Sequence, residues 1–211
     1  MNKDLNYKIA ALYNSVKAKR LSRKELYHGH FIDLIEENYL LPNNKILKRE
    51  RIIKNNHKEA VIVIAITNDN NFLLVAQNRV DNIVSLEFPS GYIEEGETCT
   101  EAATRELLEE TGYVPESTIT LDTYYSQLGI DSAITNIVIA YNCNKQYNQN
   151  LSPNEYLNYS EFTFEELNEL IENNIINSVG NKLAFYKYLY YNLYNQTKVS
   201  KVKTIKKYKS E

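Results

Sequence analysis

The sequence is short of cysteine and of long apolar runs, and each shortage excludes a class of protein. Its two cysteines, Cys99 and Cys143, lie far apart and in no metal-ligand spacing, so they predict neither a disulfide framework nor a cysteine-bound metal. No run of about 18 apolar residues occurs, so no membrane-spanning segment is predicted. The N-terminus also lacks the apolar stretch of a signal peptide. These features together predict a cytoplasmic location.

The chain also lacks a strong charge of either sign. A formal net charge of −3 over 211 residues gives no global basicity that would require a nucleic-acid partner. The lysines concentrate at the end, in residues 198–209, where we expect a solubilising tail without fixed structure; contact of this tail with RNA stays an alternative. We divide the chain into an extension (1–56), a main domain (57–196) and the tail (197–211).

The extension shows one helical pattern followed by two strand patterns. Apolar residues recur at helical spacing over Leu5–Lys19, which predicts a short amphipathic helix packed on the main domain. Leu26–Glu36 and Ile46–Ile53 are rich in aromatic and β-branched residues and predict the two strands of a hairpin.

The main domain alternates strand and helix patterns. Ala60–Thr67 is almost continuously apolar, which predicts a strand buried on both faces. Further strands are predicted at Phe72–Gln77, Ile119–Ser126 and Ala133–Tyr141, and a last helix at Asn181–Tyr194.

A short helix is predicted between Thr98 and Gly112. Thr98 and Glu101 have the spacing of a capping box, and the residues between them and Gly112 favour helix. Gly112 stands where a helix takes a left-handed C-cap.

Three carboxylates lie on one face of this helix. Glu106, Glu109 and Glu110 are three and four residues apart, and the acidic loop Glu94–Glu97 precedes them. Like charges at this spacing repel unless they face open water or hold a cation between them. Hard oxygen ligands of this kind are those that Mg²⁺ takes, usually with waters and substrate phosphates. An acidic surface helix is the structural alternative.

This stretch resembles the Nudix box. The matching positions are Gly91, Glu97, Arg105-Glu106, Glu109-Glu110 and Gly112, and the aliphatic position usual after the last glycine is occupied by Tyr113. The resemblance implies the Nudix fold, an α+β domain with a mixed sheet between helices. It also implies metal-dependent hydrolysis of a nucleoside diphosphate linked to another moiety.

The segment Glu87-Phe88-Pro89 and the N-terminal extension resemble the ADP-ribose pyrophosphatase branch of this family. That resemblance implies cleavage of ADP-ribose to AMP and ribose 5-phosphate, and a homodimer formed through the hairpin. The loop 127–132 departs from the branch, because Leu128 stands before Gly129 where its members have proline. Nucleotide sugars, dinucleoside polyphosphates and nucleoside triphosphates therefore remain alternative substrates. A nucleotide-sensing module without turnover is a rival, but such modules usually lose the box glutamates that this chain keeps.

The resemblance also implies a metal site. Its cofactor would be Mg²⁺, with Mn²⁺ as an alternative because both ions prefer oxygen ligands. Glu106 and Glu110 are the first candidates for ligands, followed by Glu109 and the carbonyl of Ser90. Glu97 is expected to pair with Arg105, bracing the loop against the helix, and to reach a metal-bound water.

Further residues are candidates for contact with the substrate. Arg79 corresponds to a phosphate-binding arginine, and a planar guanidinium suits this role. Arg51 is a second candidate for phosphate contact, and Glu87 is a candidate for substrate binding. The loop 145–159 is expected to supply the catalytic base from Glu155, with Glu161 as second choice and Glu109 as the alternative on the helix.

Overall fold

The computed structural model describes residues 2–208, with side chains up to residue 195. It divides into two compact units. The first contains the chain up to Lys58 together with Gln127–Ala133, and the second contains Glu59–Ser126 and the chain from Ile134 onward. In the described part of the chain, no helix is both long and apolar enough to cross a membrane.

The first unit contains a helix and a three-stranded antiparallel sheet of order β1-β2-β3. The elements are α1 (Lys3–Val16), β1 (Lys19–His28), β2 (Ile32–Leu40) and β3 (Ile46–Lys54). The prediction of one strand over 26–36 was wrong, because the chain turns at Gly29, whose N–H donates to the Ile32 carbonyl at 3.0 Å. The predicted hairpin is therefore a sheet with one more strand. None of the residues of α1 is buried, and its packing on the main domain stays a prediction.

The loop Gln127–Ala133 is anchored on β3 of the first unit. The Ile52 N–H donates to the Ile130 carbonyl at 2.8 Å, and Lys54 Nζ lies 2.7 Å from Asp131 Oδ2. Asp131 is almost fully buried, whereas the Lys54 side chain is 38% exposed, so only the carboxylate of this ion pair is shielded from water. The loop 127–132, whose sequence differs from that of the ADP-ribose pyrophosphatase branch, is thus held in place by the N-terminal sheet.

The second unit is built on a mixed β-sheet. Its central strands β4 (Ala60–Thr67) and β10 (Ile134–Lys145) run parallel, with Ile62 opposite Ile137. The other strands pair antiparallel to their neighbours and are β5 (Phe72–Asn78), β6 (Val84–Glu87), β7 (Ser90–Tyr92), β8 (Tyr113–Val114), β9 (Ser117–Tyr125) and β11 (Leu157–Phe162).

Helices cover the sheet on two sides. α2 (Cys99–Thr111) packs on one face of the sheet, against the β4 side chains Val61, Val63 and Ala65. α3 (Phe164–Glu172) and α4 (Val179–Tyr208) belong to the other core, which contains Ile62, Ile64 and Ile66. The predicted burial of this strand on both faces is therefore confirmed.

The end of the chain differs from the expected tail. The backbone of α4 continues as helix to Tyr208, past the predicted end at Tyr194. The lysine side chains of residues 198–209 lie outside the described residues.

Candidate active site

Local sequence signals set the position of α2. Thr98 accepts the Glu101 N–H at 3.3 Å, and Glu101 accepts the Thr98 N–H at 2.8 Å, so the predicted capping box is present. Gly112 ends the helix with φ 74°, and its N–H donates to the Leu108 carbonyl at 2.8 Å. Both ends of the helix that carries the carboxylates are therefore fixed by short-range contacts.

Arg105 connects the acidic loop to the helix. Its Nε and Nη2 donate to the two carboxylate oxygens of Glu97 at 2.8 and 3.0 Å. Nη1 donates to Glu106 at 2.8 Å and to Glu109 at 3.3 Å, and Nη2 reaches the Tyr92 carbonyl at 2.9 Å. The hydrogen bonds to Glu97 raise the pKa of Arg105 above its ordinary value. The predicted brace between Glu97 and Arg105 is thus present, and Glu109 shares it.

Glu106 and Glu110 form the buried acidic pair of the site. Burial is the main cause of a raised pKa at both residues, and the neighbouring charge of Glu106 helps to raise the pKa of Glu110 to about 8. The Ser90 N–H opposes this shift by donating to Glu110 Oε2 at 3.1 Å. Because the negative charges of these two buried carboxylates repel each other, a cation bound between them would be stabilised.

A glycine makes room for one of these carboxylates. A Cβ built at Gly91 would lie 1.9 Å from Glu106 Oε1, so any other residue here would collide with the carboxylate. Gly91 lies on β7, and its register partner is Val61 of the central strand. The carboxylate therefore packs directly against backbone that is held by the sheet.

The donor atoms fit a hard divalent cation with an incomplete set of protein ligands. Within the described residues, no three acidic, histidine or cysteine side chains are grouped closely enough to bind one metal ion together. Glu97, Glu106 and Glu109 all bind Arg105, but Glu106 and Glu110 are the buried carboxylates, so these two and backbone near Ser90 are the first candidate ligands. An incomplete oxygen set of this kind suits Mg²⁺, which retains waters and binds substrate phosphates.

A cavity of about 370 Å³ in the second unit brings the remaining candidates together. Its lining includes Arg79, Glu87, Ser90, Glu110 and Glu155. Glu155 lies close enough for its charge to contribute to the raised pKa values of the buried pair. We call the buried pair Glu106 and Glu110 the acidic corner. The cavity therefore combines the Glu110 carboxylate of this corner, the guanidinium of Arg79 and the carboxylate of Glu155.

Two other candidates have different surroundings. Arg51 Nη1 lies 3.3 Å from Glu37, a carboxylate only 1% exposed, and belongs to the first unit, so its contact with phosphate stays a prediction. Glu161 accepts hydrogen bonds from Tyr113 at 2.6 Å and Asn71 at 3.1 Å, and it does not line the cavity either. We therefore assign Glu161 no role in the site.

Arg79 and Glu87 form a side-on ion pair. Nε donates to Glu87 Oε1 at 3.0 Å and Nη2 to Oε2 at 2.5 Å. Burial alone would raise the pKa of Glu87, but the hydrogen bonds from Arg79 and Ser85 outweigh it and lower that pKa. Glu87 thus holds the guanidinium by one edge, and among the described residues no side chain hydrogen-bonds Nη1.

Sequence reasoning missed the part of the cavity formed by α4 and β9. Asn181 Oδ1 accepts the Phe88 N–H at 2.7 Å, and a Cβ at Gly180 would lie 2.5 Å from the Tyr124 hydroxyl. Ser178, Gly180, Asn181 and Tyr124 all line the cavity. These residues match no motif and lie far from the acidic stretch in sequence, so only the folded chain shows that they belong to the site.

Comparison with known proteins agrees with this geometry. The model of the NUDIX domain family matches residues 56–179, so the chain belongs to the Nudix family, and it is a Nudix pyrophosphohydrolase. The chain is 32% identical over 161 residues to the ADP-ribose pyrophosphatase of Bacillus subtilis (strain 168), covering 75% of this chain and 85% of that protein. It is 33% identical over 156 residues to the methanol dehydrogenase activator of Bacillus methanolicus, covering 73% of this chain and 83% of that protein.

A solved structure shows the same fold. The crystal structure of an ADP compounds hydrolase superposes with a TM-score of 0.76 at 24% sequence identity, covering 85% of this chain and 96% of that one. The predicted Nudix fold, with its mixed sheet between helices, is therefore confirmed.

Proposed function

We propose that this Nudix enzyme hydrolyses the pyrophosphate bond of ADP-ribose to give AMP and ribose 5-phosphate. The observation that carries this proposal is the meeting of Glu110, Arg79 and Glu155 in one cavity of about 370 Å³. A diphosphate needs cationic contacts for its oxygens and a carboxylate near the attacking water, and the cavity supplies both. The similarity to the Bacillus subtilis ADP-ribose pyrophosphatase supports ADP-ribose as the linked substrate.

The acidic corner would hold the divalent cation, which we propose is Mg²⁺. Glu106, Glu110 and the Ser90 carbonyl are the proposed ligands, and Arg105 keeps Glu97 and Glu109 beside them. When bound, the metal neutralises charge on the diphosphate and helps to ionise water. Glu97 and Glu109 are close enough to Arg105 to orient the corner without binding the metal themselves.

The other residues of the cavity would bind and activate the reactants. Arg79, fixed by Glu87 along its Nε edge, presents Nη1 for a phosphate oxygen. Glu155 is the proposed general base: it takes a proton from the water that attacks phosphorus, while the bridging oxygen leaves with the departing phosphate. Glu109 is the alternative base. A positioned base of this kind contributes roughly a hundred- to ten-thousand-fold to the rate.

A substrate panel tests the proposal. Phosphate release is measured with coupled phosphatase and Mg²⁺ on ADP-ribose, nucleotide sugars, dinucleoside polyphosphates and nucleoside triphosphates. We expect the highest kcat/KM on ADP-ribose, because the chain is 32% identical to the Bacillus subtilis ADP-ribose pyrophosphatase; the phosphatase releases phosphate from both products and so reports the turnover. Preference for another compound would assign a neighbouring substrate class, and the loop 127–132 would then be the first place to look for the cause. No turnover on any compound, with metal bound, would favour a sensing module.

Replacing Arg79 by lysine should raise KM for ADP-ribose about tenfold or more, with a smaller effect on kcat. Lysine keeps the charge, but it loses the planar fork that binds Glu87 and a phosphate oxygen together. Steady-state kinetics measure the change, and lysine at Arg49, on β3 of the first unit, provides a control for the same substitution elsewhere. An unchanged KM in the Arg79 variant would remove this residue from the phosphate site.

We further propose that the protein is a homodimer formed through its N-terminal unit. Large apolar side chains of this unit are exposed, among them Leu12 (59%), Leu26 (40%) and Phe31 (76%). β1, which carries Leu26, is an edge strand that pairs with β2 on one side, and every one of its residues is exposed. Exposed apolar residues in this number are typical of a surface that another chain covers.

Sedimentation should therefore give twice the chain mass of 24.6 kDa. Replacing Leu26 with glutamate should shift the protein to the monomer, because it places a charge in the proposed interface. Glutamate at Tyr190, which is 69% exposed on α4, is the control for a charge on an apolar surface of the second unit. A monomeric wild type would refute the dimer, and dissociation only in the Tyr190 variant would place the interface on α4.

The proposed location is the cytoplasm. Cys99 and Cys143 are both free thiols in the structure, as expected for a reducing compartment. Recovery of the protein in another fraction of the cell would contradict this proposal.

A further inference from the structure

One short segment binds the C-terminal end of α2. Each of four successive carbonyls, from Glu109 to Gly112, accepts a hydrogen bond from it. The donors are Asn150 N (2.9 Å to Glu109), Gln149 Nε2 (2.6 Å to Glu110), Lys145 Nζ (2.6 Å to Thr111), and Gln146 N and Tyr147 N (both 3.0 Å to Gly112). We call these five donor residues the α2 clamp. They satisfy carbonyls that have no partner within the helix.

Gly112 allows the clamp to approach this closely. A Cβ at this position would lie 2.0 Å from the Tyr147 carbonyl oxygen, and φ is 74°. The last glycine of the acidic motif therefore ends the helix and also admits the backbone of the following loop. The clamp and the helix are in contact along the whole last turn.

The clamp leads directly to Glu155. A turn follows it, closed by the Glu155 N–H to the Ser152 carbonyl and by the Ser152 N–H to Glu155 Oε2, both at 3.0 Å. Only Leu151 lies between the clamp and this turn. Without these contacts, the chain from Asn150 to Glu155, which is five residue steps, could extend by roughly 17 Å. With them, the position of the Glu155 carboxylate is determined by the end of α2.

Of the residues of the α2 clamp, Gln149 gives the most direct connection between Glu110 and Glu155. It is half-buried, and its amide binds the carbonyl of Glu110, the residue whose carboxylate lies in the acidic corner. Lys145 has additional contacts with the Tyr159 hydroxyl and the rings of Tyr113 and Tyr159, so its loss would disturb more than the loop.

We infer that Gln149 is a positioning residue, which fixes the proposed base Glu155 relative to Glu110 by binding the Glu110 carbonyl. The inference rests on the proposed hydrolysis, and in particular on Glu155 as base. It predicts an effect on the chemical step rather than on substrate or metal binding, because Gln149 contacts neither the acidic corner nor Arg79.

The test compares Gln149→Ala and Gln149→Glu with Asn148→Ala. Glutamate keeps the shape of glutamine but has no amide donor for the carbonyl. Asn148 is the neighbouring amide residue, exposed and outside the α2 clamp. We expect both Gln149 variants to lose about tenfold in kcat, with KM and the Mg²⁺ midpoint unchanged, since a small misplacement of a catalytic group is costly. The Asn148 variant should match the wild type.

Two further measurements separate positioning from a general loss of structure. In a Glu155→Gln background, Gln149→Ala should cause no additional loss of kcat, because the base it positions is already absent. Without substrate, chymotrypsin should cleave the loop at Leu151 or Tyr156 faster in the Gln149 variants than in wild type or the Asn148 variant. If one Gln149 variant fails to fold, the other carries the comparison.

The outcomes distinguish the inference from the proposed function. A Gln149 variant with wild-type kcat and wild-type cleavage overturns the inference, as does an equal loss of kcat with and without Glu155. If Glu155→Gln itself has wild-type kcat, the assignment of the base fails, and the positioning role fails with it. Absence of turnover in the wild type on the substrate panel is a failure of the proposed function alone, and the cleavage experiment then still tests whether Gln149 holds the loop.

Discussion

Replacing Glu110 with glutamine is expected to lower kcat by roughly a thousandfold or more while the protein stays folded. Glutamine keeps the size of the side chain and an oxygen for the Ser90 N–H, which Glu110 accepts at 3.1 Å. It removes the negative charge that a divalent cation needs from this position. The loss should therefore fall on metal binding and turnover rather than on the core, and steady-state kinetics across a Mg²⁺ titration will measure it.

The same variant should show an opposite effect on the stability of the metal-free protein. The pKa of Glu110 is raised to about 8, above its ordinary value, so folding favours the protonated form and stability is lost as the pH rises toward 8. Glutamine removes this penalty, so the unfolding temperature without metal should not fall. It should also no longer rise when Mg²⁺ is added, as it does when a ligand binds only the folded state.

Glu101→Gln is the matched control for this experiment. Glu101 lies on the same helix, but it caps the N-terminus and is exposed. Glutamine also serves in a capping box, so the control changes a carboxylate of α2 without removing its structural role. Near-normal turnover in the Glu110 variant, or an equal loss in both variants, would contradict the proposed metal corner.

Gly91→Ala is expected to reduce kcat about a hundredfold with little change in the folded structure. The added Cβ would lie 1.9 Å from Glu106 Oε1 and 2.0 Å from its Cδ. These atoms are the far end of a flexible side chain, so the carboxylate can swing away and the fold can tolerate the methyl group. The carboxylate then leaves the position it shares with Glu110. Circular dichroism should report a normal fold, and the Mg²⁺ concentration at half-maximal activity should rise.

A double-variant cycle tests whether Gly91 acts through Glu106. Glu106→Gln alone should also lose most of its activity, and Gly91→Ala combined with it should lose no more. Independent, multiplying losses would show that the alanine disturbs something other than the carboxylate, such as the pairing of β7 with β4.

Signals that span a few residues predicted the ends of α2 and the loop before it well. The capping box at Thr98 and the left-handed cap at Gly112 depend only on neighbouring residues, so they were predictable and are present. The brace between Glu97 and Arg105 is also short in sequence, since its members are eight positions apart. Where a motif combines residue types with their spacing, the local geometry follows from the chain itself.

Contacts between distant segments were not predictable in the same way. Arg79 and Glu87 were both assigned to substrate binding, but the sequence did not show that adjacent strands would place them in one ion pair. The donors and acceptors of the α2 clamp are 34 to 41 positions apart in sequence, and the donors are three backbone N–H groups, one side-chain amide and one lysine ammonium, which form no distinctive pattern. The turn at Gly29 was missed because the residues on both sides of it favour strand.

The central strand β4 also determines how the active site can open. Its residues from Val61 to Thr67 are buried, and it pairs with the strand that carries Ser90 and Gly91. Amides on such a strand exchange with solvent only when most of the domain unfolds. The backbone of the acidic corner therefore has no low-energy local opening of its own, and substrate exchange must rely on the loops around the cavity.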